Sequence, residues 1–374
     1  MKVALILDGP LDQVSGGYLY DRQLVDHLRS QGDEVTLLSL ATAPYIARWL
    51  SPVADRALAR LNGDAFDVLL EDELSHPALI GLNRALRRSG RMPIISIVHH
   101  LRSSEPWPRL LTAFFRLVER RYLQGVDGFV FNSHATRRVV EALVGESAPS
   151  VVAPPAGDRL QPSIAEDAIR SRARQPGPLR LLFVGNLIRR KGLLTLLAAV
   201  RDLSPSLARL QVVGDERFER GFAATLRKHI AREGLQDRVE LMGPLYNQAL
   251  AARMAVSHIL VVPSHYEGFG IAYLEGMGFG LPAIGGAAGG AAEIIRDGVN
   301  GFLIDPGAPD QLAHRIRRLA EDRSRLEEMS LAARRTYAAH PTWSHTGDII
   351  RRFLTQRVLR PSWVPSHSPK EEVV

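Results

Sequence analysis

From Pro263 to Pro282 the chain contains the stretch PSHYEGFGIAYLEGMGFGLP, and this stretch decides how the rest is interpreted. It overlaps an apolar run, residues 257–263, whose composition predicts a buried parallel strand. The turn Gly268-Phe269-Gly270 comes next, and a helical pattern begins at about Ile271. A strand end, a glycine turn and a helix start leave backbone N–H groups without partners, and an anion such as a phosphate can satisfy them.

Two carboxylates frame this turn. Glu267 directly precedes it, and Glu275 lies eight positions further on, inside the predicted helix. Because carboxylates repel phosphate, they are better suited to accept hydrogen bonds from hydroxyl groups. Donors for a phosphate beside acceptors for hydroxyls suit a sugar nucleotide, and the stretch therefore predicts a sugar-nucleotide site.

The composition is that of a globular protein long enough for two domains. The chain has 374 residues, of which 45% are hydrophobic and 23% charged. Lys and Arg outnumber Asp and Glu by 47 to 40, and this excess indicates either an ordinary solvated surface or attraction to an anionic membrane or substrate. The absence of cysteine excludes disulfides, thiolate chemistry and cysteine-ligated zinc.

The N-terminus predicts a strand and not a targeting segment. Met1–Asp8 has only six apolar residues before its aspartate, and no run in the chain approaches the ~18–20 apolar residues of a membrane span. We therefore expect a cytoplasmic protein. The helical pattern from Arg109 to Gln124 combines an apolar face with several arginines, which fits either a packing helix or a basic face that docks peripherally at a membrane.

Strands and helices alternate along the whole chain. Apolar strands are predicted in the first half at residues 3–7, 34–40, 66–70, 92–98 and 126–131, and in the second half at residues 179–184, 210–213, 239–242, 257–263 and 282–284. Helical patterns between them imply parallel sheets. The loop after the first strand contains Gly16 and Gly17 but lacks the Gly-x-Gly-x-x-Gly spacing, so a nicotinamide fingerprint is not supported.

This pattern predicts an α/β fold of two Rossmann-like, doubly wound domains that face each other across a ligand-binding cleft. The predicted parts are an N-terminal domain (1–160), a linker rich in proline and glycine (161–178), a C-terminal domain (179–341), a helix that packs back toward the first domain (342–358) and a flexible tail (359–374).

Four features fall at predicted strand ends: the pairs Gly16-Gly17 and His99-His100, the cationic turn Arg189-Arg190-Lys191, and the Glu267–Glu275 stretch. Each has an ordinary structural explanation, such as a tight turn, a hydrogen-bonded histidine or a solvated surface. Three cations at the positive end of a helix, however, are unfavourable unless an anion is present, and a diphosphate would supply that anion.

At this point the motifs resemble those of the retaining glycosyltransferases of family four, which have the GT-B fold. Val184–Gly192 (VGNLIRRKG) is similar to the opening of their second domain, and Pro263–Glu275 resembles their Glu-x7-Glu signature. Residues 93–99 (PIISIVH) resemble the first-domain strand that ends in their active-site histidine. The resemblance continues at Pro282, Gly289, Gly290, Glu293 and Asp297–Gly301, and it covers most of residues 1–340.

The resemblance implies an acceptor-side N-terminal domain and a C-terminal domain that binds a nucleotide-diphosphate sugar. Lys191 should hold the donor diphosphate, with Arg189 or Arg190 assisting, because Asn186 stands where many members have an arginine. The resemblance also implies that some backbone N–H groups lie beside the phosphate and sugar, namely those of Gly16, Gly17, Gly268, Phe269 and Gly270. Glu267 should accept hydrogen bonds from hydroxyls of the donor sugar, and Glu275 from hydroxyls of the ribose. The imidazole of His99, with His100 as the alternative, should lie at the reacting sugar.

The resemblance implies retaining transfer, with a hexose expected, to an unidentified glycan, lipid or small-molecule acceptor in cell-envelope glycan synthesis. No Asp-x-Asp cluster stands out, so we expect a metal-independent reaction that needs no cofactor beyond the donor substrate. The alternatives are a GT-B epimerase or phosphorylase, or a non-catalytic protein that binds sugar nucleotides. Nucleic acid is not an expected partner, because the basic residues show no aromatic interleaving.

Overall fold

The computed structural model describes residues 1–13, 15–40, 45, 61, 65–89, 92–146 and 148–359. They form two compact units, the first made of Met1–Pro155 together with the chain from Trp343 onward, and the second of Ala156–Thr342. Apart from Leu359, the tail predicted over 359–374 lies outside the described residues. No helix among the described residues is long and apolar enough to cross a bilayer.

The first unit is built on a parallel sheet of six strands in the order β2-β1-β3-β4-β5-β6. The strands are β1 (Lys2–Asp8), β2 (Glu34–Leu40), β3 (Val68–Asp72), β4 (Ile94–Val98), β5 (Gly128–Phe131) and β6 (Ser150–Val152). All five residues of β3 and of β4 are buried, as expected for strands that are covered by helices on both faces.

In the part of this unit that the structure describes, five helices connect and cover the strands: α1 (Gly16–Ser30), α2 (His76–Ser89), α3 (Arg109–Leu123), α4 (His134–Val144) and α12 (Trp343–Phe353). The described residues also form single-turn 3-10 segments at Glu73–Ser75 and Arg102–Ser104 and a π-helical turn at Leu354–Val358. Serine side chains, Ser15 and Ser133, cap α1 and α4 by accepting a hydrogen bond from a first-turn N–H. α12 packs on α1, where Arg351 donates to Asp33 at 2.7 Å.

The second unit has its own parallel sheet of six strands in the order β12-β11-β10-β7-β8-β9. The strands are β7 (Leu179–Val184), β8 (Ala208–Val213), β9 (Val239–Gly243), β10 (Ile259–Val262), β11 (Ala283–Gly286) and β12 (Gly301–Ile304). The helices are α5 (Glu166–Arg174), α6 (Leu193–Arg201), α7 (Arg220–Arg232), α8 (Asn247–Val256), α9 (Ile271–Gly278), α10 (Pro309–Glu321) and α11 (Arg323–Ala339). Short 3-10 turns lie at Asp158–Leu160, Arg189–Lys191 and Gly290–Glu293.

The region predicted as a linker, 161–178, is not a loop. It contains α5, which packs on α11 inside the second unit. Arg172 of α5 is buried and donates to the carbonyl oxygens of Ala255, Phe279 and Gly280, so it closes the C-terminal ends of two helices. Because this region is rich in prolines and charges, its sequence pattern did not predict the short helix α5, which tertiary contacts hold in place.

Both sheets reverse their strand order once, and parallel α/β sheets bind ligands beside such a reversal, at the carboxyl ends of the strands. In the first unit the reversal lies between β1 and β3, and in the second between β7 and β10. The predicted doubly wound α/β fold is confirmed in both units. The reversals place the segments that follow β1 and β3, and those that follow β7 and β10, at the two candidate ligand positions.

Candidate active site

The centre of the site in the second unit is an ion pair between Lys191, which follows β7, and Glu267, which follows β10. Lys191 Nζ lies 2.6 Å from Glu267 Oε1, and the hydroxyl of Ser264 donates to the same oxygen at 2.5 Å. Glu267 is 6% exposed, while Lys191 is half-buried. The reversal of strand order between β7 and β10 therefore brings together two residues that lie far apart in the sequence.

Two adjacent arginines point in different directions. Arg190 donates to the carbonyl of Tyr266 at 2.6 Å and lies 3.7 Å from Glu267. Arg189 is instead exposed and pairs with Glu219 at 2.8 Å, away from Glu267. Of the two arginines offered for the diphosphate, Arg190 is thus the one that the structure groups with Lys191.

The charges of this cluster control its protonation. Burial alone would raise the pKa of Glu267, but Lys191 and Arg190 outweigh burial and hold that pKa at about 2. Burial lowers the pKa of Lys191, and the neighbouring charge of Arg190 lowers it further against the opposing effect of Glu267. Two cations thus share one carboxylate that is ionised at neutral pH, which leaves a net positive charge where an anion can bind.

Glycines allow the backbone to close around this cluster. Gly192 has φ +72°, and a Cβ placed on it would lie 2.0 Å from the carbonyl oxygen of Pro263 at the end of β10. Gly270 has φ +103° and immediately precedes α9, whose first N–H groups have no partner inside the helix. Gly268 lies against Gly290, whereas the ring of Phe269 is buried, so only the backbone of Phe269 is available to a ligand.

Glu275 lies inside α9 and is held by an arginine that the sequence motifs did not indicate. Arg159, from the 3-10 turn at Asp158–Leu160, approaches Glu275 Oε1 to 2.8 Å, and Glu275 is 4% exposed. Gly157 permits this approach, since a Cβ there would contact Leu274 and the N–H of Glu275. Burial raises the pKa of Glu275, and Arg159 opposes that rise.

In the first unit, His99 stands at the end of β4 between two buried aspartates. Its Nε2 lies 3.3 Å from Asp21 Oδ1 on α1 and 3.8 Å from Asp72 Oδ1 at the end of β3. The backbone N–H of His99 donates to Glu73, and its carbonyl accepts from Asn132 at 2.7 Å. The histidine is therefore fixed through both its ring and its backbone.

Three acidic residues set the charge of His99. Burial alone would lower its pKa, but Asp21, then Asp72 and Glu73, outweigh burial and raise that pKa to about 9. Burial also raises the pKa of Asp72, to about 7, and the charge of Asp21 adds to that rise. Among the described residues, the side chains of Asp21, Asp72 and His99 form one group that could hold a metal ion, with ligand atoms within 4.8 Å of one another.

The remaining predicted residues of the first unit lie beside this cluster. Gly16 and Gly17, expected in a loop, are instead the first residues of α1, because Ser15 caps the helix before them. A Cβ on Gly17 would lie 3.1 Å from the ring of His99, so the glycine lets α1 approach the histidine. His100 is half-buried and pairs with Glu105 at 3.0 Å.

Sequence reasoning missed several partners of the predicted residues: Asp21, Asp72, Glu73, Arg159 and Ser264. Asp72 ends the buried strand β3 and Glu73 follows it, so strand-end position was the signal that could have indicated these two residues. Asp21 lies one helical turn after the glycine pair, and its spacing from that pair was the only local signal for it. Arg159 gave no such signal, since it lies in the region taken as the end of the first domain.

Comparison with known proteins finds similar sequences and similar folds. Residues 165–336 match the family model for glycosyl transferases group 1. The chain is 30% identical over 260 residues to a GDP-mannose-dependent alpha-(1-6)-phosphatidylinositol monomannoside mannosyltransferase of Mycobacterium tuberculosis, an alignment that spans 66% of each chain. It is also 30% identical over 270 residues to a D-inositol 3-phosphate glycosyltransferase of Geodermatophilus obscurus, spanning 66% of this chain and 59% of that relative. The matches thus span about two thirds of these relatives' length or less.

Solved structures show the same fold. A sucrose-phosphate synthase from Thermosynechococcus elongatus aligns with a TM-score of 0.82 at 21% identity, covering 95% of this chain and 98% of that one. HepE of Anabaena in complex with UDP-glucose aligns with a TM-score of 0.78 at 19% identity, covering 95% and 99%. The fold is GT-B. The likeness to these structures shows the fold alone. Because residues 165–336 match the family model and the mycobacterial mannosyltransferase is 30% identical over about two thirds of both chains, the chain belongs to the group 1 glycosyltransferases.

Proposed function

We propose that this protein is a retaining glycosyltransferase that moves a hexose from a nucleotide-diphosphate sugar to an acceptor. The observation that carries the proposal is the convergence of Lys191 and Arg190 on the buried Glu267, beside the start of α9 and at the strand reversal of the second unit. The named activities of the relatives, transfer from GDP-mannose and glycosyl transfer to inositol phosphate, support the same class.

The charges suit the chemistry of the transfer. The bond between the anomeric carbon and the phosphate oxygen breaks, and negative charge develops on the departing diphosphate. Lys191 and Arg190, together with the unpaired N–H groups that begin α9, can stabilise that charge without rearrangement. They supply the positive charge that a divalent metal supplies in other transferases, so we propose a metal-independent reaction with no cofactor beyond the donor.

The carboxylates are assigned to hydroxyl groups. Glu267 remains ionised in its cationic cluster and is an acceptor for hydroxyls of the donor sugar, while Glu275, oriented by Arg159, accepts from the ribose. Retention follows in this proposal from front-face substitution. The acceptor oxygen attacks from the side that the diphosphate leaves, and its proton passes to a phosphate oxygen.

A thermal-shift screen against UDP, GDP, ADP, TDP and their sugar conjugates tests the donor. A ligand at ~100 times its Kd adds about 2.7 kcal/mol to the free energy of unfolding, an easily measured shift. We expect a shift with one diphosphate family, its loss in Lys191→Ala, and its preservation in Arg189→Ala, whose side chain lies with Glu219. A screen in which no nucleotide diphosphate shifts the wild type would contradict the proposal.

Product analysis separates the alternatives. An axial product from an axial donor, identified by proton NMR couplings, indicates retaining transfer, and the opposite anomer would contradict retention. A changed free nucleotide sugar without acceptor would indicate an epimerase, and transfer to inorganic phosphate a phosphorylase. Binding with neither transfer nor donor hydrolysis would leave only the non-catalytic sugar-nucleotide-binding protein.

We further propose that this protein is cytoplasmic and that its helix α3 docks on an anionic membrane. Leu110 is 87% exposed and Leu117 69%, although both are large and apolar. The same exposed side carries Arg109, Arg116 and Arg120, for which the described residues provide no ion-pair partner. An apolar stripe flanked by unpaired arginines suits the interface of a bilayer with anionic headgroups, and a lipid-linked acceptor would be reached there.

Co-sedimentation with vesicles tests the docking. We expect binding to phosphatidylglycerol vesicles at low salt and not to phosphatidylcholine vesicles. Leu110→Ser combined with Leu117→Ser should abolish it, whereas Val256→Ser, which removes an apolar side chain 48% exposed on α8, should not. Binding that is indifferent to lipid charge, or to the α3 changes, would rule this surface out.

A further inference from the structure

Three arginines that form no ion pair within the described part of the chain lie together at the amino ends of two strands of the second sheet. Arg180 is the second residue of β7, and its backbone N–H donates to Nδ1 of His258, the residue before β10, at 2.9 Å. The other ring nitrogen, Nε2, donates to the carbonyl oxygen of Arg172 at 2.9 Å. Arg323, at the start of α11, donates to the carbonyl of Gly177, three positions before Arg180, at 2.5 Å.

Two of these guanidinium groups meet at the end of α8. Arg172 donates to the carbonyl oxygen of Ala255 at 2.8 Å, and Arg180 donates to that of the next residue, Val256, at 2.5 Å. Carbonyl groups at the C-terminal end of a helix attract cations, but such an end carries only about half an elementary charge. Arg172 and Arg180 therefore help to close α8, while most of their positive charge remains uncompensated.

No carboxylate neutralises this group among the residues that the structure describes. The three guanidinium groups donate to backbone carbonyls and, from Arg180, to the amide oxygen of Gln175. Glu327, four positions beyond Arg323 on α11, pairs instead with two arginines of α5. Nη1 of Arg323 is buried and has no hydrogen-bond partner in the described chain. Cations that are withdrawn from water without a counter-charge are unfavourable, and an anion would compensate them.

The pKa values of the neighbouring groups agree with a positive potential at this position. Burial, and after it the charge of Arg180, lowers the pKa of Arg172 to about 10. Burial and the charges of the three arginines lower the pKa of His258 to about 3, although its hydrogen bond to the carbonyl of Arg172 opposes this change. The imidazole is therefore neutral at physiological pH, and the net positive charge of the group comes from its arginines.

We propose that Arg180 and Arg323, together with the charge of the buried Arg172, form a binding site for a phosphate or diphosphate group. Guanidinium groups suit such an anion because their planar, paired N–H donors match the geometry of phosphate oxygens. Arg180 and Arg323 are half-buried and can be reached from solvent, whereas Arg172 is 8% exposed and contributes mainly its charge.

This phosphate site is separate from the proposed donor site. Lys191 and Glu267 follow the carboxyl ends of β7 and β10, whereas Arg180 and His258 lie at the amino ends of the same two strands. From Arg180 to the end of β7 the strand extends over roughly 13 Å. One phosphate group cannot contact both positions, so this inference does not depend on the proposed function.

Isothermal titration of the full chain with inorganic pyrophosphate tests the site. The titrations use a Lys191→Ala background, which weakens anion binding at the donor site, and a constant ionic strength. We expect pyrophosphate to bind in this background. Arg180→Gln combined with Arg323→Gln should raise its Kd about tenfold or more, as expected for the loss of charged hydrogen bonds.

A second pair of changes controls for the loss of net charge. Arg138→Gln combined with Arg335→Gln also removes two positive charges, from exposed positions on α4 and α11. Arg335 lies twelve positions beyond Arg323, or roughly 18 Å along the helix. We expect this pair to change the Kd for pyrophosphate by less than about twofold, because exposed charges at that distance are largely screened.

Vesicles distinguish a lipid headgroup from a soluble phosphate as the source of the anion. The chain that carries Leu110→Ser and Leu117→Ser is sedimented with phosphatidylcholine vesicles, with and without phosphatidic acid. Sedimentation that requires phosphatidic acid, Arg180 and Arg323 would support the site and assign it to a lipid headgroup. Pyrophosphate binding without such sedimentation would support the site and assign it to a soluble phosphate.

Two results of the titration would overturn the proposal: no binding of pyrophosphate in the Lys191→Ala background, or equal weakening by the two pairs of changes. If the Arg180 and Arg323 pair does not fold, as judged by circular dichroism, Arg323→Gln alone should still weaken binding measurably, and an unchanged Kd in that variant overturns the proposal. The nucleotide screen decides the proposed function separately, because a chain that binds no nucleotide can still bind pyrophosphate through Arg180 and Arg323.

Discussion

Lys191 Nζ lies 2.6 Å from Glu267 Oε1 although 76 positions separate the two residues. Ser264 donates to the same carboxylate oxygen and Arg190 lies 3.7 Å from the other oxygen. Two cations and one hydroxyl therefore contact Glu267 before any ligand arrives. A donor diphosphate would share these cations, which frees carboxylate lone pairs for sugar hydroxyls at the moment of binding.

The neighbouring arginines provide a matched pair of variants. Arg190→Gln removes a cation from Glu267, and we expect a weakening of donor binding by about tenfold to a hundredfold, the range for a charged hydrogen bond of roughly 1.5–3 kcal/mol. Arg189→Gln removes an exposed cation paired with Glu219, and we expect less than a twofold change. Isothermal titration with the nucleoside diphosphate measures both. Equal effects of the two changes would refute the placement of the diphosphate beside Arg190.

The ionised state of Glu267 predicts how acid affects stability. Because its pKa falls from 4.5 unfolded to about 2 folded, its contribution is present above about pH 4.5 and is lost as the pH falls toward 2. The contribution is on the order of 3 kcal/mol for a shift of this size.

Urea unfolding of the wild type and of Glu267→Gln between pH 3 and 7 measures this contribution. The free energy of unfolding of the wild type should fall more steeply below pH 4.5 than that of the variant. Parallel curves would show that Lys191 and Arg190 do not hold the carboxylate ionised.

The close approach of Gly192 to the carbonyl oxygen of Pro263 predicts that a substitution at Gly192 lowers stability although it removes no charge. Gly192→Ala places a Cβ 2.0 Å from the carbonyl oxygen of Pro263 and at φ +72°. We expect a loss of about 2–4 kcal/mol in the free energy of unfolding, together with weakened donor binding, because the backbone that carries Lys191 must shift. Gly221→Ala is the control, since nothing lies within 4 Å of its Cβ position in α7 and alanine favours a helix. A Gly192→Ala variant that is as stable as the wild type and binds the donor equally well would contradict the close approach of Gly192 to Pro263.

Arg159 should matter for the nucleotide and not for the fold. Without Arg159, the buried Glu275 gains a proton more readily, because burial already raises its pKa, and a protonated carboxyl is a poorer acceptor for two ribose hydroxyls. We expect Arg159→Gln to raise the Kd for the nucleoside diphosphate about tenfold, roughly 1.4 kcal/mol. Arg174→Gln, which removes a largely exposed guanidinium from the buried Glu327, should leave the Kd unchanged. Isothermal titration calorimetry at pH 7.5 compares the Kd values of the two variants. An equal rise in Kd in both would indicate a general loosening of the protein.

The local sequence pattern was enough to predict the class of fold and the motif residues of the candidate site. Continuous apolar runs separated by helical periods specify parallel α/β units, because that periodicity reflects which faces must be buried. The residues with chemistry at strand ends, such as Lys191, Glu267 and His99, follow from the same pattern, since carboxyl ends of parallel strands meet at one edge.

The partners of these residues were decided only by tertiary structure. Arg159 meets Glu275 across 116 positions and Asp21 meets His99 across 78, and no local signal encodes such contacts. They exist because the sheet order reverses once in each unit and because Gly17, Gly157 and Gly192 let backbones approach where a Cβ would collide. Sequence by itself therefore determined the fold class and which residues carry charge at the strand ends. Tertiary packing decided which charges neutralise each other, and hence the pKa of Glu267 and of His99, because burial and proximity depend on long-range contacts.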